Sequence, residues 1–142
     1  MVDTSASVRG DTVKSFLKTT WEILMESGSF FREVNIHIIQ CDSQVRDDKI
    51  ITSQSDLDDY IKGVKLTGFG ATDFRPAFAY VDELIAKKTF RNLKGMIYFT
   101  DGYGIYPSKG RDYDVIFAFL REDKNRLPVP PWAIEVVISE DN

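Results

Sequence analysis

Gly95-Met96-Ile97-Tyr98-Phe99-Thr100 is the stretch that most restricts what this chain can become. It is a continuous apolar run that stops at Asp101-Gly102, the pattern of a parallel strand buried on both faces. Such a strand needs helices above and below it, and helix-patterned segments lie to either side. From about Asp11 to Ser27, Val13, Phe16, Leu17, Trp21 and Leu24 recur at helical spacing, with Asp11 or Thr12 as the cap and Ser27-Gly28 as the end. A second helix is expected from Ser55, with Asp58 at the capping-box position and Leu57, Tyr60, Ile61 and Val64 on its apolar side. A third is expected from a cap at Asp73 to about Lys88, burying Phe74, Ala77, Phe78, Val81, Leu84 and Ile85, with Pro76 tolerated in its first turn.

Further strands are expected over Glu33–Gln40, Val45–Thr52, Val115–Leu120 and Ala133–Ser139. The second of these carries Arg46, Asp47, Asp48 and Lys49 and suits a sheet edge, where charges discourage further pairing. Pro128, Pro130 and Pro131 argue against a regular helix between the last two strands. Strands alternating with helices give a mostly parallel α/β sheet, doubly wound in three layers. The 142 residues suffice for one domain with its own core.

Composition excludes several roles. With 43% hydrophobic and 28% charged residues the chain is neither fibrous nor disordered in type. A net charge of −4 without a basic block disfavours nucleic-acid binding. No apolar run reaches the roughly 20 residues of a membrane span. One cysteine, Cys41, suits a reducing cytoplasm and reads as a small buried residue at a strand end. The one histidine, His37, lies in a strand pattern without a second His or Cys ligand nearby and reads as packing or exposed, not as a zinc ligand.

Three polar stretches interrupt this framework. Asp3-Thr4-Ser5-Ala6-Ser7 offers a carboxylate and two hydroxyls on alternate residues. Taken alone, such a cluster more often caps a helix or makes a turn. Gly70-Ala71-Thr72-Asp73 precedes a helix, and Thr100-Asp101-Gly102 ends the apolar strand. In a doubly wound sheet, ligands bind beyond the carboxyl ends of the strands where the strand order reverses. If the strands ending at Asp3 and Asp101 are neighbours, roughly 4.8 Å apart, one hard cation can be served from both, with Ser5, Ser7 and Thr72 as neutral donors.

Together Asp3-x-Ser5-x-Ser7, Thr72 and Asp101 in its Thr-Asp-Gly turn resemble the metal-ion-dependent adhesion site of von Willebrand factor A domains. Within that superfamily, Gly70-Ala71-Thr72-Asp73-Phe74-Arg75-Pro76 is similar to a prokaryotic von Willebrand A-like domain that follows a metallopeptidase-like domain. The resemblance covers nearly the whole chain and implies a sheet order of 3-2-1-4-5-6, with strand 3 an antiparallel edge. It implies Mg²⁺ or Mn²⁺ held directly by Ser5 and Ser7, through water by Asp3, and directly or through water by Thr72 and Asp101. One coordination position would stay open for an Asp or Glu of a protein partner, and a ring-forming ATPase of the MoxR type is the partner the resemblance implies. The first strand of the family is long and apolar, whereas here Met1-Val2 alone precede Asp3. The strand is therefore expected to continue upstream, where the peptidase-like half would lie. Without those residues the interior positions Ile36, Ile38, Ile97 and Phe99 are expected to stand open. This stretch has no His-Glu-x-x-His motif.

Three functional readings follow: a metal-dependent protein-binding module without turnover; a metal-dependent hydrolase acting on a phosphoester; and a structural domain with an unused site. The first is favoured, because no general base and no phosphate-gripping basic residue other than Arg75 accompany the motifs.

Overall fold

A computed structural model describes residues 1–4, 10–26 (side chains from 11 to 22), 35–66, 68, 70–119 and 123–138. In chain order the elements are β1 (Val2–Asp3), α1 (Gly10–Glu26), β2 (Ile36–Cys41), β3 (Val45–Ile51), α2 (Gln54–Gly63), α3 (Arg75–Ala86), β4 (Gly95–Thr100), β5 (Asp114–Phe119) and β6 (Ile134–Val137). They form a six-stranded sheet of order β3-β2-β1-β4-β5-β6. All pairings are parallel except β2 with β3, which is antiparallel and leaves β3 at one edge. The order and the antiparallel edge agree with the expectation. Between Asp123 and Ala133 the described chain is turns and irregular structure, as its prolines require.

Strand alternation divides the core into two layers. Met96 and Tyr98 of β4, with Phe117 and Phe119 of β5, pack on Phe74, Ala77, Phe78 and Val81 at α3. Phe99 of β4, Ala118 of β5 and Ile38 of β2 pack on the other side against Val13, Phe16, Leu17 and Trp21 of α1 and Leu57 of α2. Phe117 is the hub of the first layer, its ring 5.5 Å from Phe74, 5.5 Å from Tyr98 and 5.0 Å from Tyr106. In the second layer Phe16 stacks on Phe99 at 4.5 Å.

Several local expectations need correction. Ile38 and Phe99 are 5% and 2% exposed and do not stand open, while Ile36 and Ile97 are half-buried against the same layer. Val2 pairs with Gln40 on one side and Phe99 on the other, and α1 covers both strands. The cap of α2 is Ser53, not Ser55: its hydroxyl accepts from Asp56 N at 3.1 Å. Asp56 in turn accepts from Thr52 N and Thr52 Oγ1 at 3.1 and 2.8 Å. Asp73 does not cap α3. The N-cap position is Phe74, which has no side-chain cap bond. Asp73 instead accepts from Arg75 N and Nε at 3.0 Å each. Ile85 is 37% exposed, because the contact with the core ends before α3 does. Leu24 lies outside the described side chains. Cys41 and His37 fit their packing roles: Cys41 is 1% exposed at the end of β2, and His37 sits against Asp48 at 2.9 Å and Phe90.

Truncating the hub should be costly. Phe117→Ala is expected to lower the unfolding free energy by about 3–5 kcal/mol. Ile134→Ala, at a position 53% exposed on β6, should change it by less than about 0.5 kcal/mol. Urea titration of both variants checks the contrast.

Candidate metal site

Asp3 closes β1, the strand from which the chain passes to β2 on one side while β4 lies on the other. Its position is therefore the reversal point of the sheet, at the carboxyl end, where loops from both halves converge. The residue is wholly buried, as is Thr4 after it. Thr4 N donates to Cys41 O at 2.7 Å, which continues the ladder one residue past the strand.

Two hydroxyls face the Asp3 carboxylate. Thr100 Oγ1, at the end of β4, donates to Asp3 Oδ2 at 2.5 Å and accepts from Gly102 N at 3.1 Å. Thr72 Oγ1, from the loop before α3, stands 3.4 Å from each Asp3 oxygen. That is longer than an ordinary hydroxyl–carboxylate bond, so the two groups share a place without being drawn tightly together. Asp101 follows Thr100 immediately, half-buried, and its Oδ1 accepts from Tyr103 N at 3.1 Å. Asp3 and Thr72 are thus brought together as expected, and Asp101 lies one residue beyond the end of the strand paired with β1. Ser5 and Ser7 lie outside the described residues.

The loops around this point are fixed by contacts that leave no room for a side chain. Gly102 has φ +90° and packs against the Arg126 side chain and the Phe119 ring. The Arg126 guanidinium lies 3.8 Å over that ring and 3.6 Å from Glu135. A Cβ on Gly104 would come within 2.8 Å of Thr72 Cγ2 and of the Phe74 ring. Phe74 N donates to Ile105 O at 3.1 Å. The loop after Asp101 is therefore seated directly on the loop that carries Thr72.

Asp42 holds the other side of the Thr72 loop. Its side chain is fully buried. Oδ1 accepts from Gln44 N at 3.0 Å and Arg46 Nε at 2.9 Å, and Oδ2 accepts from Gly70 N at 3.0 Å. Burial works to raise the Asp42 pKa, but the hydrogen bond from Arg46 and those from Gly70 and Gln44 outweigh it and hold the carboxyl below its ordinary range.

Sequence reasoning missed Thr100 and Asp42. Thr100 adjoins the motif, and its role follows once β1 and β4 are neighbours. Asp42 reads locally as a turn residue, which it also is; its bond to Gly70 spans 28 positions and leaves no local signal.

The donors assembled here are carboxylate and hydroxyl oxygens, the set that suits Mg²⁺ or Mn²⁺ rather than zinc or copper. Among the described residues no group of three or more His, Cys, Asp or Glu could hold a metal. A cation here would therefore depend on hydroxyl donors beside two carboxylates. The residues fit that requirement in kind.

Asp42 also gives the fold a pH dependence with a fixed sign. A carboxyl with a depressed folded pKa stabilises above its unfolded value, about 3.9, and that stabilisation is lost as pH falls through the folded pKa. Urea titrations at pH 5 and pH 3 should therefore show a smaller loss of stability in Asp42→Asn than in the wild type. An equal loss would mean that Asp42 does not contribute to the acid limb.

Comparison with curated proteins and with solved structures returned no match. Residues 1–139 match the family described as VWA-like domain (DUF2201). That match spans the sheet, both core layers and the converging loops, and agrees with the strand order β3-β2-β1-β4-β5-β6. The chain belongs to the VWA-like domain family.

Proposed function

We propose that this chain is a metal-dependent protein-binding module that holds an acidic residue of a partner at the Asp3–Thr72–Asp101 corner, without turnover. Membership of a VWA-like family supports an interaction module in general terms. The observation that supports the finer reading is the wholly buried Asp3 carboxylate, met at the reversal point of the sheet by one hydroxyl from the end of β4 and one from the loop before α3. Mg²⁺ or Mn²⁺ bound there would supply a positive centre able to accept one further carboxylate from outside.

The protein's own residues have distinct parts in this reading. Asp3 brings a fixed negative charge into a place from which water is largely excluded, where its attraction for a cation is strengthened. Thr100 fixes the orientation of one Asp3 oxygen, and Thr72 adds a neutral donor from a third direction. Asp101, less buried than Asp3, is the carboxylate nearer solvent. Ser5 and Ser7 complete the donor set in this proposal. Two carboxylates neutralise a divalent cation without filling its coordination positions, so a partner's Asp or Glu could still take an open one. A MoxR-type ATPase is the proposed partner class, in a cytoplasmic setting. No helix among the described residues is long and apolar enough to cross a membrane.

Metal titration with a thermal melt tests the proposal, because a ligand bound only by the folded state raises Tm. Millimolar Mg²⁺ or Mn²⁺ should raise the wild-type Tm by several degrees and leave Asp101→Ala unshifted. No shift in the wild type, or an equal shift in the variant, would contradict the site. Phosphoester and peptide substrates supplied with metal should not be turned over; turnover abolished by Asp3→Ala would replace the binding module with an enzyme.

A further inference from the structure

We propose that Asp42 is a positioning residue of the metal site: its carboxylate anchors, at Gly70, the short segment that presents the Thr72 hydroxyl to Asp3. The inference rests on the metal reading above. Asp42 follows Cys41, and Cys41 is the register partner of Asp3, so the clamp is built on the strand beside the metal-facing carboxylate. Its side chain and its main chain grip different points of the loop. The firm contact is from Gly70 N to Asp42 Oδ2 at 3.0 Å; Asp73 N makes a longer one to Asp42 O, at 3.4 Å. Gly70 and Asp73 bracket Ala71-Thr72, the segment whose Thr72 hydroxyl stands 3.4 Å from each Asp3 oxygen.

The loop is shaped to this carboxylate. Gly68 has φ +106°, and a Cβ there would lie 2.6 Å from Asp42 Oδ2 and 3.1 Å from Thr4 Oγ1. A Cβ on Gly70 would lie 3.0 Å from the same Oδ2. Glycine lets the main chain approach closely enough for the Gly70 amide to reach the carboxylate. Oδ1 is meanwhile occupied by Gln44 N and Arg46 Nε. Gly70 N, Gln44 N and Arg46 Nε all donate to the Asp42 carboxylate, so ionised aspartate satisfies all three. Asparagine keeps the shape but turns an NH₂ toward one of these donors. Groups that orient a metal's ligands commonly change metal affinity by about 10–100-fold when lost.

The test compares Mn²⁺ affinity, by electron paramagnetic resonance at neutral pH, in the wild type, Asp42→Asn and Ile51→Val. Ile51 is fully buried in the layer packed on α1 and α2 and serves as a control for general destabilisation. Asp42→Asn is expected to bind Mn²⁺ at least tenfold more weakly, whereas Ile51→Val keeps wild-type affinity. Wild-type affinity in folded Asp42→Asn, or an equal loss in Ile51→Val, would overturn the assignment. If Asp42→Asn does not fold, Gly70→Ala, which crowds the same oxygen, should show the same weakening, and unchanged binding would overturn the assignment. Should the wild type bind no Mn²⁺, the metal reading falls by itself. Amide exchange then decides the clamp: Gly70 N–H should exchange at least tenfold faster in Asp42→Asn, and unchanged exchange would refute it.

Discussion

Everything at the candidate site depends on how β1 is held. Val2 faces Gln40 of β2 on one side and Phe99 of β4 on the other, and both pairings are parallel. Parallel neighbours end at the same edge of the sheet, so Asp3, Asp42 and the Thr100-Asp101 turn emerge side by side. A shift of one residue would turn Val2 away from the layer of Phe16 and Phe99 and turn Asp3 into it. Burying a charged carboxylate among aromatic rings would be far more costly than burying Val2 there. The apolar layer therefore enforces the register, and the register places the carboxylate.

The loops then do the finer positioning through backbone contacts that need glycine. Gly104 lets the chain after Asp101 lie against Thr72 and Phe74, while Gly68 and Gly70 let the chain before Thr72 lie against Asp42. Thr72 is held from both sides as a result. Such close seating matters for any binding role: a site formed in advance does not spend binding free energy on ordering its own loops.

The framework was readable because its signals are local and repeated. The apolar run of β4, the helical spacing of Val13, Phe16, Leu17 and Trp21, and the charged β3 each identify an element from a few adjacent residues. Caps were less legible. Ser53 and Ser55 both precede an acidic residue three positions on, and only the hydrogen bond from Asp56 N to Ser53 decides between them. Asp73 resembles a cap in sequence but is engaged with Arg75 through both main-chain and side-chain donors. The motif residues Asp3, Thr72 and Asp101 could be picked out because each lies at or just past the end of a strand or in the loop before a helix. Asp42 could not, because its significance lies in a contact with a distant glycine. The expectation of an open interior at Phe99 failed because α1, through Phe16, covers it.

The most direct test of the central claim is a crystal of the protein soaked in millimolar Mn²⁺ and measured at a wavelength where manganese scatters anomalously. The account predicts one strong anomalous peak at the corner where Asp3 and Thr72 meet, beside the turn that carries Asp101, within coordination distance of their oxygens or of waters bound to them. A peak elsewhere, or none at that corner while Mn²⁺ is visible at other positions, would contradict it.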